Sequence, residues 1–152
     1  HLQKLNVSEL CADVADLFEP ACEEAGLSFE AHIKPDLYAK ADQALLAQAL
    51  SNLVDNAIKY TPRGGAIALN VETADKDITI TVSDTGPGIP ESDRERVKGR
   101  FVRLDDARTQ AGSGLGLALV EAVANLHGGQ LELDESALGP SGLKASLTLK
   151  RA

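Results

Sequence analysis

The strongest constraint on this chain is the order of four short segments. Asn52-Leu-Val-Asp-Asn56 runs on to Lys59-Tyr60. Asp84-Thr-Gly-Pro-Gly88 follows, then Arg100-Phe-Val-Arg103, then Gly112-Ser-Gly-Leu-Gly-Leu117. The first puts amides on a helix face, the second and fourth are glycine-rich loops, and the third is basic. Amides can hold a hydrated cation, glycine loops let backbone N–H groups approach phosphates, and arginines neutralise them. Together the segments have the make-up of a nucleoside-triphosphate site.

Between the segments, hydrophobic spacing gives a regular layout. Ser8 is placed to cap a helix whose apolar residues Leu10, Val14, Leu17, Phe18, Ala21 and Ala25 recur at three and four. Pro20 should bend or loosen its last turn, and Gly26 ends it. Leu27 to Ile33 alternates as a strand, and Leu37 to Ala41 reads as a shorter one. Asp42 caps a long helix reaching Tyr60, stopped by Thr61-Pro-Arg-Gly-Gly65. Strands are expected at 66–73 and 78–83, a short helix at 91–97, a helix at 115–126, and strands at 130–133 and 143–149. From 98 to 112 no steady period appears, a loop of a length usually reserved for function. This is one α/β domain over 1–152, a two-layer sandwich with helices on one face of a mixed sheet.

Composition narrows the classes. Only 3% of the residues are aromatic, so the core must be built from Leu, Val, Ile and Ala. The net charge of −8 disfavours a nucleic-acid partner held by phosphate attraction. An anionic nucleotide can still bind where basic groups are concentrated: Arg94, Arg96, Lys98, Arg100, Arg103 and Arg108 lie close together in an otherwise acidic chain. No run is long enough for a membrane span and no signal peptide opens the chain. Methionine is absent, which reads as a piece cut from a longer protein. Cys11 and Cys22 on one helix are about 16 Å apart, too far for a disulfide, and fit packing residues in a reducing compartment.

Each motif has a plain structural reading beside a functional one. On the long helix Leu46, Leu50, Leu53, Val54, Ala57 and Ile58 form an apolar stripe, and Gln48, Asn52, Asp55, Asn56 and Lys59 a polar one. Taken alone that polar stripe is a solvated face. Two asparagines are poor helix formers there, which favours their use. Gly86 and Gly88 suit a tight strand-to-helix turn, and Asp84 at the strand end can accept from an exocyclic amine. Gly112-Ser-Gly-Leu-Gly opens a helix, where N–H groups face an anion. It is neither a P-loop nor a dinucleotide fingerprint. His32 is expected exposed, and His127 sits at a helix end where a cation is favourable. No catalytic triad and no zinc cluster presents itself.

In this order and spacing the four segments resemble the N, G1, F and G2 boxes of the catalytic ATP-binding domain of sensor histidine kinases. That domain is part of the superfamily of gyrase-type, MutL-type and heat-shock chaperone ATPases. Asn52-Leu-Val-Asp-Asn-Ala-Ile-Lys-Tyr-Thr-Pro62 matches the N box, Asp84-Thr-Gly-Pro-Gly-Ile-Pro90 G1, and Gly112-Ser-Gly-Leu-Gly-Leu-Ala118 G2. The resemblance covers nearly the whole chain from Asn6. It implies a Bergerat-type fold, a mixed five-stranded sheet with three main helices, and a mobile ATP lid over about 91–112. It implies ATP and Mg²⁺ as cofactors. Asn56 would hold the metal, with Asn52 beside it. Lys59 and Tyr60 would meet phosphates and sugar. Asp84 would accept from the adenine amine, with Gly86, Gly88 and Ile89 in its loop. Arg103 would contact phosphate from the lid, and Gly112, Ser113, Gly114, Leu115, Gly116 and Leu117 would form the phosphate-facing helix start. The departure is in the F box, where an aromatic and an acid are usual and this chain has Lys98 and Gly99.

The hydrolysing relatives carry a glutamate where Asn52 stands, and an amide is no general base. The resemblance therefore implies transfer of the γ-phosphate to a histidine on a separate dimerisation and phosphoacceptor hairpin, with Asn52 and Arg103 as catalytic residues. Residues 1–7 would be the linker from that hairpin. A response regulator would act downstream, with no nucleic-acid partner. The piece itself would be a cytoplasmic monomer and its parent a homodimer, with or without an inner-membrane anchor. The alternatives are a regulatory pseudokinase acting through partner contacts, kept open by Lys98-Gly99, and a serine kinase of the anti-sigma-factor type.

Overall fold

The computed structural model describes residues 1–98 and 116–152. Strand β1 (Gln3–Asn6) leads into helix α1 (Val7–Glu24). Strands β2 (Ser28–Ile33) and β3 (Tyr38–Ala41) follow, then helix α2 (Gln43–Tyr60), and strands β4 (Ala66–Ala74) and β5 (Asp77–Asp84). A single 3-10 turn, Glu91–Asp93, continues into the short helix α3 (Arg94–Val97). Helix α4 (Gly116–Leu126) and strands β6 (Gln130–Glu135) and β7 (Leu143–Lys150) complete the described chain. The main sheet has the order β2-β4-β5-β7-β6, with β2 parallel to β4 and the other pairs antiparallel. This is the mixed five-stranded sheet expected, with the main helices layered on it. No described helix is long and apolar enough to cross a membrane.

The strand alternation decides which way the sheet faces. Ile78, Ile80 and Val82 of β5 lie opposite Leu149, Leu147 and Ala145 of β7 and opposite Thr73, Val71 and Leu69 of β4. These even-numbered positions of β5 are buried against the helices. The odd positions carry Thr79, Thr81 and Ser83, and Thr81 and Ser146 pair their hydroxyls across strands at 3.3 Å. Period two then puts Asp84 on the inner face, in line with Ile78, Ile80 and Val82. A carboxylate thus ends a row of aliphatic side chains and is only 2% exposed.

Helix α2 starts as its sequence suggests: Asp42 is the N-cap and its carboxylate accepts from the Leu45 N–H at 3.0 Å. Helix α1 differs from expectation at its start. Its N-cap is Asn6, whose side chain accepts from the Glu9 N–H at 3.0 Å. Ser8 instead lies inside the first turn, buried, donating to the Lys34 carbonyl at 2.6 Å and accepting from the Leu37 N–H at 3.0 Å. It ties the helix to the loop before β3. The face that packs is Val7, Leu10, Cys11, Val14, Ala15 and Cys22, whereas Leu17 and Ala21 are exposed. The helix runs through Pro20 to Glu24. Gln3–Asn6, inside the stretch expected as linker, pairs antiparallel with β3.

Cys11 and Cys22 are free and fully buried. Burial pushes the Cys11 thiol up to about 12, and burial, then the nearby Glu19 charge, raises that of Cys22. Neither is a nucleophile in this state.

His127 is a correction. It lies at the end of α4 as expected, but it is buried and its contacts are not those of a cation. Its Nδ1 lies 2.7 Å from the Val123 carbonyl, which can only accept, so Nδ1 carries the proton. Nε2 is then the acceptor for the Asp42 N–H at 3.0 Å. A neutral imidazole therefore joins the end of α4 to the start of α2. His127→Phe leaves the Asp42 N–H and the Val123 carbonyl without this partner. The expected loss is about 1–3 kcal/mol of stability in urea unfolding, with part restored by His127→Gln. Unchanged unfolding in the Phe variant would show that the bridge carries no weight.

Candidate functional site

The C-terminal half of α2 is where the remote segments meet. Asn56, on its inner side, is only 5% exposed. The first residue of α4 sits against it: a Cβ on Gly116 would lie 2.8 Å from Asn56 Nδ2, so any larger residue there would displace the Asn56 amide. One turn on, a Cβ on Gly86 would lie 2.7 Å from the Tyr60 carbonyl oxygen. The loop after β5 therefore presses on the end of α2 while α4 presses on Asn56.

Asp84 is held from two sides. Its Oδ1 accepts from the Gly86 N–H at 2.9 Å and from the Leu143 N–H at 3.0 Å. The first donor is local, an Asp-initiated turn. The second comes from the far strand β7. Ser141 adds a third link, donating its hydroxyl to the Gly86 carbonyl at 2.8 Å. The turn before β7 thus fixes the orientation of the carboxylate, and sequence reasoning missed it. The available signal was Gly139-Pro-Ser-Gly142, a turn directly ahead of an alternating strand.

The other expected residues are placed as follows. Asn52 is half-buried, one turn before Asn56. Lys59 is exposed, with its ammonium 3.1 Å from Asp55 on the same helix, a surface pair of the weak kind. Tyr60 is 1% exposed and belongs to the hydrophobic core, as do Ile89 and Leu117. Gly88 is buried at a positive φ of 74°. The expected lid begins as the 3-10 turn and α3, and Arg94 Nε donates to the Ile89 carbonyl at 3.1 Å. Arg100, Phe101, Arg103, Arg108, Gly112, Ser113, Gly114 and Leu115 lie outside the described residues. Gly88, Ile89, Glu91, Arg94, Ser136 and Gly142 contribute to a cleft of about 660 Å³.

A buried amide against a glycine helix start, and a buried carboxylate at a strand end, can together hold the two ends of a nucleotide. Residues 41–152 match the family described as histidine kinase-, DNA gyrase B- and HSP90-like ATPase. The chain belongs to that family. ATP is accordingly the nucleotide of this ATPase-family domain. Adaptive-response sensory kinase SasA of Synechococcus sp. (strain JA-3-3Ab) is 41% identical over 135 residues, covering 88% of this chain and 36% of SasA. Among solved structures, the mycobacterial sensor histidine kinase MprB is 31% identical with a TM-score of 0.86, covering 98% of each chain. Histidine kinase ThkA, solved in complex with response regulator protein TrrA, is 25% identical with a TM-score of 0.79, covering 99% of this chain and 42% of that one. The chain spans about a third of the length of the curated relatives it matches.

Proposed function

We propose that this domain is the catalytic ATP-binding part of a two-component sensor histidine kinase, donating the γ-phosphate of Mg-ATP to a histidine on a separate hairpin domain. The observation that carries the reading is the make-up of α2. It presents amides at Asn52 and Asn56 beside the start of α4. Its one carboxylate, Asp55, is 45% exposed and paired with Lys59. No group on that helix is placed to deprotonate water, so transfer to an external acceptor is the chemistry it suits.

ATP supplies the phosphoryl group, and Mg²⁺ offsets the charge on the phosphates. Asp84 accepts from the adenine amine. The Asn56 side-chain carbonyl holds the metal, with Asn52 beside it. Backbone N–H groups at the start of α4 face the phosphates, and Arg103 neutralises charge during transfer. The partners are the hairpin domain and, downstream, a response regulator. The ThkA–TrrA complex supports the second of these.

Mixing the domain with a histidine-bearing hairpin and labelled ATP should give acid-labile, base-stable phosphate on the hairpin. Hydrolysis by the domain alone should be slow. Fast steady-state ATP hydrolysis abolished by Asn56→Ala would place the chain among the hydrolysing relatives instead.

A further inference from the structure

Lys98 carries a contact set that the nucleotide site does not explain. Its Nζ donates to the Leu131 carbonyl of β6 at 3.0 Å. It also lies 3.1 Å from Glu95 Oε2 and 3.7 Å from Glu121 Oε2 of α4. These three partners, all among the described residues, differ in weight. Glu95 is 90% exposed and water screens its charge. Lys98 itself is 14% exposed and Glu121 25%, so the pair on α4 and the carbonyl on β6 are the substantial contacts. An ammonium withdrawn this far from water is costly without partners, and here each main partner belongs to a different element.

The position of Lys98 in the chain gives these contacts meaning. Upstream, Arg94 binds the Ile89 carbonyl, and Val97 is buried in the core. Only the Glu91–Asp93 turn and α3 thus separate the Asp84–Pro90 loop from Lys98. Downstream, Glu121 stands on α4, little more than one turn beyond Gly116, which meets Asn56. The path therefore runs from the base-recognising carboxylate through α3 to Lys98, across to Glu121, and back to the phosphate-facing helix start.

We propose that Lys98 is a positioning residue. By bonding Leu131 and pairing with Glu121, it fixes the Asp84 loop and helix α4 relative to each other, and so sets affinity for Mg-ATP. Lys98 touches no nucleotide in this account. The inference rests on the reading of the site as an ATP site, and it gives a role to the Lys98 departure just ahead of the third segment.

The test is calorimetric titration of Mg-ATP into the whole domain and into Lys98→Met, Lys98→Arg, Glu121→Gln and the Lys98→Met/Glu121→Gln double variant, with thermal unfolding of each. Lys98→Met should raise Kd about fivefold, inside the range expected for a coupling residue without ligand contact. Lys98→Arg should stay within about twofold of wild type, since it keeps the charge and the donors. Glu121→Gln should weaken binding, and the double variant should be no worse than the weaker single one, as for two halves of one contact. Wild-type affinity in Lys98→Met overturns the inference. So do effects that multiply in the double variant, or a lowered unfolding temperature with Kd unchanged. Should Lys98→Met not fold, Lys98→Arg and Glu121→Gln decide. Absence of Mg-ATP binding by the wild-type domain would instead defeat the ATP reading itself, and the inference with it.

Discussion

Asp84→Asn should weaken ATP binding severely and erase the preference for ATP over GTP. The wild-type site should reject GTP by about 10⁴-fold, because guanine sets a carbonyl where adenine offers an amine. The variant has a defined geometry because Oδ1 is held by the N–H groups of Gly86 and Leu143. Those two donors require an acceptor. The asparagine oxygen must take the Oδ1 place, which turns the NH₂ toward the place of Oδ2. The residue then offers a donor where the carboxylate offered an acceptor. ATP loses its hydrogen bond and meets an opposed donor, while the guanine carbonyl finds a match. Competition titrations with both nucleotides, beside an unfolding curve for each protein, check this. Retention of the ATP preference in a folded Asp84→Asn variant would remove Asp84 from base recognition.

Asn56→Ala should abolish Mg-dependent nucleotide binding. Loss of a partner one shell removed from a metal costs about 10–100-fold in affinity, so loss of a direct ligand should cost about a hundredfold or more. Asn56 is only 5% exposed and sits on a helix held by the core residues Leu53, Val54, Ala57 and Tyr60. The site therefore cannot readily adapt by shifting the backbone. The diagnostic result is the dependence on metal. Wild type should bind ATP much more tightly with Mg²⁺ than with EDTA, and the variant should bind equally weakly in both. A variant that keeps the Mg²⁺ enhancement would place the metal on another residue, Asn52 first. Asn56→Asp, which keeps an oxygen in place, should retain more of the enhancement than Asn56→Ala.

Much of this architecture was legible because local rules and tertiary packing agree. Asp42 caps α2 as its chemistry demands, and the period of two through Ile78, Ile80 and Val82 runs on to Asp84 and assigns its face. The cap of α1 is not decided locally. Asn6 rather than Ser8 caps α1 because the Ser8 hydroxyl is engaged by Lys34 and Leu37, a contact spanning 26 and 29 residues. Leu17 fits the apolar spacing of α1 yet is 68% exposed, since the packing face is decided by what lies opposite. The amides of α2 could be read as a solvated stripe. Only the approach of Gly116, 60 positions later in the numbering, shows Asn56 to be inside. His127 has no sequence signal for its bridge, because its partner Asp42 is 85 residues away.

The hydrogen bond from Leu143 to Asp84 also has a consequence in time. It joins groups 59 residues apart, and the donor lies on a strand near the end of the described chain. A nascent chain that has formed the α2 helix, the β4–β5 hairpin and the Gly86 turn still lacks the Leu143 N–H that helps to aim the carboxylate. In the proposed site, base recognition therefore depends on β7 being in place between β5 and β6. Loop closure over that separation is slow compared with local turns. Nucleotide bound as proposed would favour the state with β7 in its place and would add nothing to a chain that lacks it.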